Sequence, residues 1–289
     1  MSSDDLVDIR GLTVTVPERR RIDGAVGDLE LVHGIDLAIA PGERVALVGE
    51  SGSGKSMTAK AILRLEPSLR LGGSIRFDGN ELVGASERTL RSIRGAEVSM
   101  VFQDPMTALN PVLTIGAQVA EPLIIRGTPR AEAKRRAIDM LDRLGVPQPA
   151  RRFDAYPSEF SGGMRQRVVM AAALIAEPRL LIADEPTTAL DVRVQEQVLD
   201  LIEEQSRELG LSVLLITHDL GIVAGLAHRV SVMYRGSLVE DRGVDELFAA
   251  PEHPYTKALL GSIPRIDADP DIRLTTVDDL IAAPIEEVA

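Results

Sequence analysis

The sequence predicts an α/β fold in which a parallel-sheet core carries an antiparallel β subdomain and an inserted α-helical subdomain. Three observations predict it. The apolar run Val45-Ala46-Leu47-Val48 meets a glycine-rich turn and then a helical pattern from Met57 to Leu65. The same strand-then-helix grammar resumes far downstream, with Leu180 to Ala183, a helix from Val192 to Leu209, and Ser212 to Thr217. Between the two, Asp104 to about Glu177 reads as helical.

The elements follow in order. Strand-like segments at Val7 to Val16 and Leu37 to Ala40 flank a loop containing Pro17 and glycines, and Ser74 to Phe77 runs into the turn Asp78-Gly79. Together these read as an antiparallel sheet feeding the strand at Val45. In the inserted stretch Ala137, Leu141 and Leu144 share one face, and Gly145 and Pro147 stop that helix. In the helix from Val192 the buried stripe is Val194, Val198, Leu201, Ile202 and Leu209, with Gly210 as its stop. Val230 to Tyr234 and Ser237 to Val239, around Arg235-Gly236, read as a hairpin followed by a short helical tail. No repeat of 20 to 50 residues is visible.

Composition narrows the classes. The chain has 289 residues, 45% of them hydrophobic, which is enough for a large core, and only 3% aromatic. Such a core must be built from aliphatic side chains, as suits parallel strands buried under helices. The absence of cysteine excludes disulfides, thiolate metal sites and iron–sulfur ligation by these residues. The acidic start Met1-Ser2-Ser3-Asp4-Asp5 does not read as a signal peptide, and the longest apolar run, Val168 to Ala176, is far short of the ~20 residues of a membrane span. A net charge of −12 without a basic stripe argues against nucleic acid as a partner, and Arg19-Arg20-Arg21 reads as a solvated loop.

The glycine-rich turn carries the chemistry. Gly49-Glu50-Ser51-Gly52-Ser53-Gly54-Lys55-Ser56 fits Gly-x-x-x-x-Gly-Lys-Ser, and it lies at a strand-to-helix turn, the context that motif requires. Glycines let successive N–H groups curl around phosphates, and the following helix presents its positive end to the same anion. Lys55 would reach the β- and γ-phosphates and Ser56 would offer its hydroxyl to Mg²⁺. The fold is therefore read as a P-loop NTPase with a RecA-like core, binding a nucleoside triphosphate.

A second constellation follows. Leu180-Leu181-Ile182-Ala183-Asp184-Glu185 is an apolar strand ending in two carboxylates, of which Asp184 would hold Mg²⁺ and Glu185 would polarise the attacking water. In Phe160-Ser161-Gly162-Gly163-Met164-Arg165-Gln166-Arg167, Ser161 is a good helix N-cap and Gly162 and Gly163 leave first-turn N–H groups bare. This is a second anion-binding helix start, more than one nucleotide needs.

That segment resembles the signature motif of the ATP-binding cassette (ABC) ATPases, where it completes the opposite subunit's site. Gln103 in Val101-Phe102-Gln103-Asp104 is similar to the family's Q-loop glutamine, Asp191 in Ala189-Leu190-Asp191 to its D-loop aspartate, and His218 to its switch histidine. Standing alone, His218 would read as a structural histidine and Gln103 would carry no signal. The resemblance covers about residues 5 to 265. Gln103-Asp-Pro-Met-Thr-Ala-Leu-Asn-Pro, Leu181-Ile-Ala-Asp-Glu-Pro-Thr-Thr-Ala-Leu-Asp and Pro251-Glu-His-Pro-Tyr-Thr resemble the oligopeptide/dipeptide/nickel importer ATPases.

The resemblance implies an ATPase that powers a solute importer, with ATP and Mg²⁺ bound and with Ser56, Gln103 and Asp184 at the metal. Glu185, His218 and Gln103 would act in hydrolysis. It implies a second, non-identical ATPase subunit, two transmembrane permeases and an extracytoplasmic solute-binding protein, so that this chain sits peripherally on the cytoplasmic face of the membrane. The nucleotide-binding domain would span residues 5–250, its helical subdomain about 104–177, and a peptide-importer tail residues 251–289. Three departures stand out: no cysteine cluster in the tail, Met164 at the fifth signature position, and Val16 where an aromatic stacks on adenine. Peptide is the expected cargo, with nickel or another small solute as the alternative. A soluble cassette ATPase without a permease, or a subunit that binds ATP without cleaving it, are the other classes.

Overall fold

The computed structural model describes residues 5–20, 26–102, 108–187 and 192–262. In chain order its strands are β1 Val7–Arg20, β2 Val26–Ile39, β3 Arg44–Val48, β4 Arg70–Phe77, β5 Asn80–Glu81, β6 Val98–Val101, β7 Leu180–Asp184, β8 Ser212–Thr217, β9 Arg229–Tyr234 and β10 Ser237–Gly243. The helices are α1 Lys55–Ile62, α2 Glu87–Ile93, α3 Ile115–Ile125, α4 Arg130–Arg143, α5 Pro149–Arg152, α6 Gly162–Leu174, α7 Val192–Leu209, α8 Leu220–Leu226, α9 Val244–Ala249 and α10 Pro254–Gly261.

Two sheets form. One is antiparallel, in the order β2-β1-β4-β5; the other runs β10-β9-β3-β8-β7-β6 and is parallel except for β10. The first hairpin differs from the expectation that strands end at Val16 and begin at Leu37. Both β1 and β2 run 14 residues. Their register slips at four places, between Ile9 and Leu12, Leu12 and Thr13, Val14 and Thr15, and Val16 and Arg19, and each slip breaks the alternation that marks a strand in sequence. Pro17 is tolerated because β4 pairs with β1 only as far as Thr15, so Pro17 lies on an edge.

The parallel strands β7 and β8 are buried at every position, which is why they read as continuous apolar runs. Their side chains alternate between two cores. Leu181, Ala183, Val213 and Leu215 face the helical region, where they join Ala137, Leu141, Leu144 and Val168. Leu180, Ile182, Leu214 and Ile216 face the antiparallel sheet and α1, with Ile9, Leu37, Ile62 and Ile75. The inserted helices therefore cover one face of the sheet whose two halves they separate in sequence. Burying a Leu or Ile this fully is worth about 1.5–3 kcal/mol.

Three details depart from the sequence reading. Leu209 does not join the buried stripe of α7: it is 55% exposed, whereas Val194, Val198, Leu201 and Ile202 are buried. It is the last residue of the helix, beyond the surface that the other four cover. Strand β6 and helix α2 were not anticipated, since four and seven residues are too short for periodicity to show. The glycine-rich turn starts its helix at Lys55, two residues earlier than the apolar pattern suggests. Among the described residues no helix is long and apolar enough to cross a membrane.

Candidate active site

The site is built at the carboxyl ends of the parallel strands, the edge where open α/β sheets bind ligands. Strand β3 delivers residues 49–54, its neighbour β8 delivers His218, and β7, beyond β8, delivers Asp184 and Glu185.

The loop can only be made with glycine at its entry. Gly49 has φ +151, and a Cβ there would lie 2.1 Å from the Met233 carbonyl oxygen on β9. Gly54, at φ +109, is the N-cap of α1 and uses no side chain to cap it. Lys55 folds back into the turn: Nζ donates to the carbonyls of Gly49 and Glu50, both at 2.7 Å, and to Ser53 Oγ at 3.3 Å. Burial pushes the Lys55 ammonium below the ordinary lysine range, against the pull of Glu185, Asp184 and Glu50.

The carboxylates take different positions. Asp184 is buried, 3% exposed, and its Oδ1 accepts a hydrogen bond from Ser56 Oγ at 3.1 Å. Burial raises its carboxyl above the usual range; the Ser56 hydroxyl opposes that, and the neighbouring Glu185 adds to it. Glu185 steps into the left-handed region at φ 49, a conformation that costs a non-glycine residue about 1–3 kcal/mol. Its amide still donates to the Ile216 carbonyl at 2.8 Å, so the turn is held while the carboxylate leaves the sheet. There His218 Nδ1 lies 3.0 Å from Glu185 Oε1. The histidine is placed by its successor: Asp219 caps α8 by accepting from the amides of Gly221 and Ile222, and the Asp219 amide donates to Thr217 Oγ1.

A cavity of about 210 Å³ opens here, lined by Leu31, Ser51, Gly52, Gly54, Lys55, Ser56, Met57 and Glu185. The expected Gly49–Ser56 loop, Asp184, Glu185 and His218 thus converge. Ser161, Gly162 and Gly163 do not line that cavity; Ser161 caps α6, accepting from the Met164 amide at 3.4 Å. Val16 does not line it either, being paired with Leu29 in the β1–β2 ladder. Gln103 and Asp191 lie outside the described residues.

Three residues that sequence reasoning gave no role belong to the neighbourhood. Leu31 is skipped in the pairing, where Val14 faces Val32 and Thr15 faces Glu30, and this bulge residue lines the cavity. Gln166, buried on α6, donates through Nε2 to the Pro186 carbonyl at 2.6 Å, one residue from Glu185. Tyr255 accepts the Glu50 amide on its hydroxyl at 2.8 Å. Only Gln166 and Tyr255 lay in segments singled out in the sequence, and nothing in residue type alone marks either.

Known proteins resemble this chain in sequence and in fold. Residues 32–188 match the family profile described as ABC transporter, and residues 239–285 match one described as Oligopeptide/dipeptide transporter, C-terminal region. The chain is 48% identical over 255 residues to the Oligopeptide transport ATP-binding protein OppD of Bacillus subtilis (strain 168), covering 87% of this chain and 71% of the relative. It is 50% identical over 267 residues to a Brucella abortus (strain 2308) protein provisionally named a peptide import ATP-binding protein, covering 91% and 80%. Among solved structures it resembles the dimeric ATP-binding cassette MJ0796 in a post-hydrolysis state bound to ADP and Pi. That match has a TM-score of 0.73 at 27% identity and covers 82% of this chain and 98% of the other.

Proposed function

Because this chain belongs to the ABC transporter family of ATP-binding proteins, we propose that it is the ATP-hydrolysing subunit of an importer for oligopeptides or dipeptides. One observation carries the cargo. The cassette match is followed in the same chain by the match to the oligopeptide/dipeptide transporter C-terminal region. A cassette alone would leave the solute open.

In this reading ATP lies with its phosphates against residues 49–56. A γ-phosphate oxygen replaces the longest of the three Lys55 contacts, the one to Ser53 at 3.3 Å, and the ammonium keeps its two carbonyl partners. Glu185 takes a proton from the water that attacks the γ-phosphorus, ADP departs, and His218 orients the carboxylate through the 3.0 Å contact. The donor set also fits Mg²⁺: a buried carboxylate oxygen and a hydroxyl, both hard oxygen donors, meet at 3.1 Å. Mg²⁺ binds through one or two protein oxygens plus substrate phosphates, so Ser56 and Asp184, with Gln103, would hold it, and it would neutralise charge on the phosphate oxygens.

The second anion-binding helix start, at Ser161, serves the nucleotide of another cassette subunit, and Asp191 touches that subunit. Two permeases and a solute-binding protein complete the importer, with this chain on the cytoplasmic face. The test is reconstitution of the chain with its partner cassette and permeases in liposomes. ATP supplied on the cassette side should drive uptake of a labelled oligopeptide delivered by the binding protein. Uptake of nickel but not peptide would overturn the assignment of cargo.

A further inference from the structure

The segment Pro251-Glu252-His253-Pro254-Tyr255 is singled out in the sequence, yet the mechanism above gives it no work. Its local design is explicit. Glu240 on β10 accepts the amides of Glu252 and His253 on its two carboxylate oxygens, at 2.9 and 3.0 Å. His253 Nδ1 then caps α10 by accepting the Tyr255 amide at 3.1 Å, and Pro254 occupies the first helical position. The outcome is a fully buried Tyr255 whose ring lies 4.2 Å from that of Tyr234, centroid to centroid, and whose hydroxyl is aimed out of the cluster.

That hydroxyl accepts the Glu50 N–H at 2.8 Å. The N–H belongs to the peptide plane joining Gly49 to Glu50, and in a trans peptide the carbonyl points the opposite way. This carbonyl, Gly49 O, accepts Lys55 Nζ at 2.7 Å. One rigid plane is thus fixed between the Tyr255 hydroxyl on its outer side and the phosphate-loop lysine on its inner side. Glycine at 49 allows that plane unusual freedom to rotate, and Met233 leaves no room for a side chain to restrict it. The far side of the loop is held separately, where the Gly236 amide donates to the Ser53 carbonyl at 2.9 Å.

We propose that Tyr255 is a positioning residue for ATP binding: its hydroxyl sets the Gly49–Glu50 peptide plane and, through it, the place of the Lys55 ammonium. The C-terminal segment is therefore part of the nucleotide site. This rests on residues 49–56 being the phosphate cradle.

The test uses the full chain with fluorescent ATP and ADP analogues, comparing wild type, Tyr255→Phe and Lys55→Ala. Tyr255→Phe keeps the ring against Tyr234 and removes only the acceptor. Loss of one hydrogen bond predicts about two- to tenfold weaker binding of both nucleotides. Hydrogen exchange at the Glu50 amide should accelerate while the amides of α10 keep their protection. In the assembled complex KM for ATP should rise with kcat nearly unchanged. Wild-type affinity and Glu50 exchange in Tyr255→Phe, with binding lost in Lys55→Ala, would overturn the positioning role and leave the cradle intact. Loss of protection throughout α10 would also overturn it, since the hydroxyl would then only dock the tail. Normal binding by Lys55→Ala would sink the cradle reading itself, and the proposal with it.

Discussion

The Gln166 side-chain amide reaches the Pro186 carbonyl at 2.6 Å, so the helix that begins at Ser161 is tied to the turn that carries Glu185. Both groups are buried, which makes the bond expensive to lose. In the proposed assembly Ser161 serves one nucleotide and Glu185 another. A displacement of α6 relative to that turn would reach the carboxylate of the second site through this contact together with the apolar core that α6 shares with β7.

Gln166→Leu keeps the bulk but leaves the Pro186 carbonyl without its donor. The orphaned carbonyl costs about 1–3 kcal/mol, but leucine also removes Gln166 Oε1, which is buried without a hydrogen-bond partner among the described residues, so the expected net loss in unfolding free energy is about 1 kcal/mol. ATP affinity of the isolated chain should stay near wild type, because the contacts of Lys55 are untouched. In the assembled complex kcat should fall. Denaturant melts, nucleotide titrations and steady-state turnover measure these separately, and unchanged turnover in the complex would show that α6 does not communicate with Glu185 by this route.

Glu185→Gln removes the proton acceptor but keeps a side chain able to contact His218. Turnover should drop by about 10²–10⁴, the usual contribution of a positioned general base, while ATP binding changes little. The measurement needs the partner cassette's own site disabled. Wild-type hydrolysis under that condition would remove Glu185 from the chemistry.

The glycine-rich loop and the two carboxylates were legible because each is announced by a local pattern, whereas His218 was picked out only by the family resemblance. Glycines fall at a strand-to-helix turn, and an apolar run ends in acids. Leu31, Gln166 and Tyr255 were not, for different physical reasons. Leu31 faces the cavity only because a register slip makes it a bulge, and slips depend on the partner strand rather than on the residue. Gln166 and Tyr255 act across 20 and 205 positions of sequence, distances at which no periodicity links donor to acceptor. The long β1–β2 hairpin was shortened for a related reason, since its four slips erase the alternation that would have extended it.

Asp184 gives a pH prediction. Burial raises its carboxyl above the ordinary 3.8, against the Ser56 hydrogen bond and with Glu185 adding to the effect. The folded chain therefore holds that proton more tightly than the unfolded one. Between 3.8 and the raised value the folded state binds more protons, so stability contributed by this group falls as pH rises through that window. Above the window the whole cost of a buried charge remains. Asp184→Asn removes it and should melt at higher temperature than wild type at pH 7 without nucleotide, with the gap closing toward pH 4, while ATP hydrolysis is lost. Calorimetry across that range is the check, and a variant less stable than wild type at every pH would contradict it.

The last prediction concerns the base. The family resemblance places an aromatic where this chain has Val16, and valine touches a purine without stacking on it. Stacking of a base on an aromatic side chain is worth about 1–3 kcal/mol in single-stranded nucleic-acid binders, and an exposed nucleotide site falls at or below the lower end. Wild type should therefore discriminate weakly between ATP and GTP, and Val16→Tyr should tighten ATP binding about three- to tenfold. The structure adds a competitor: Leu31 lines the cavity and Val16, facing Leu29 across the ladder, does not. An aliphatic contact reads no hydrogen-bonding edge, so Leu31→Ala should weaken ATP and GTP alike. Titrating both nucleotides into wild type and the two variants separates the residues. Unchanged affinity in Val16→Tyr together with a loss in Leu31→Ala would move the nucleotide's apolar support from β1 to the bulge of β2.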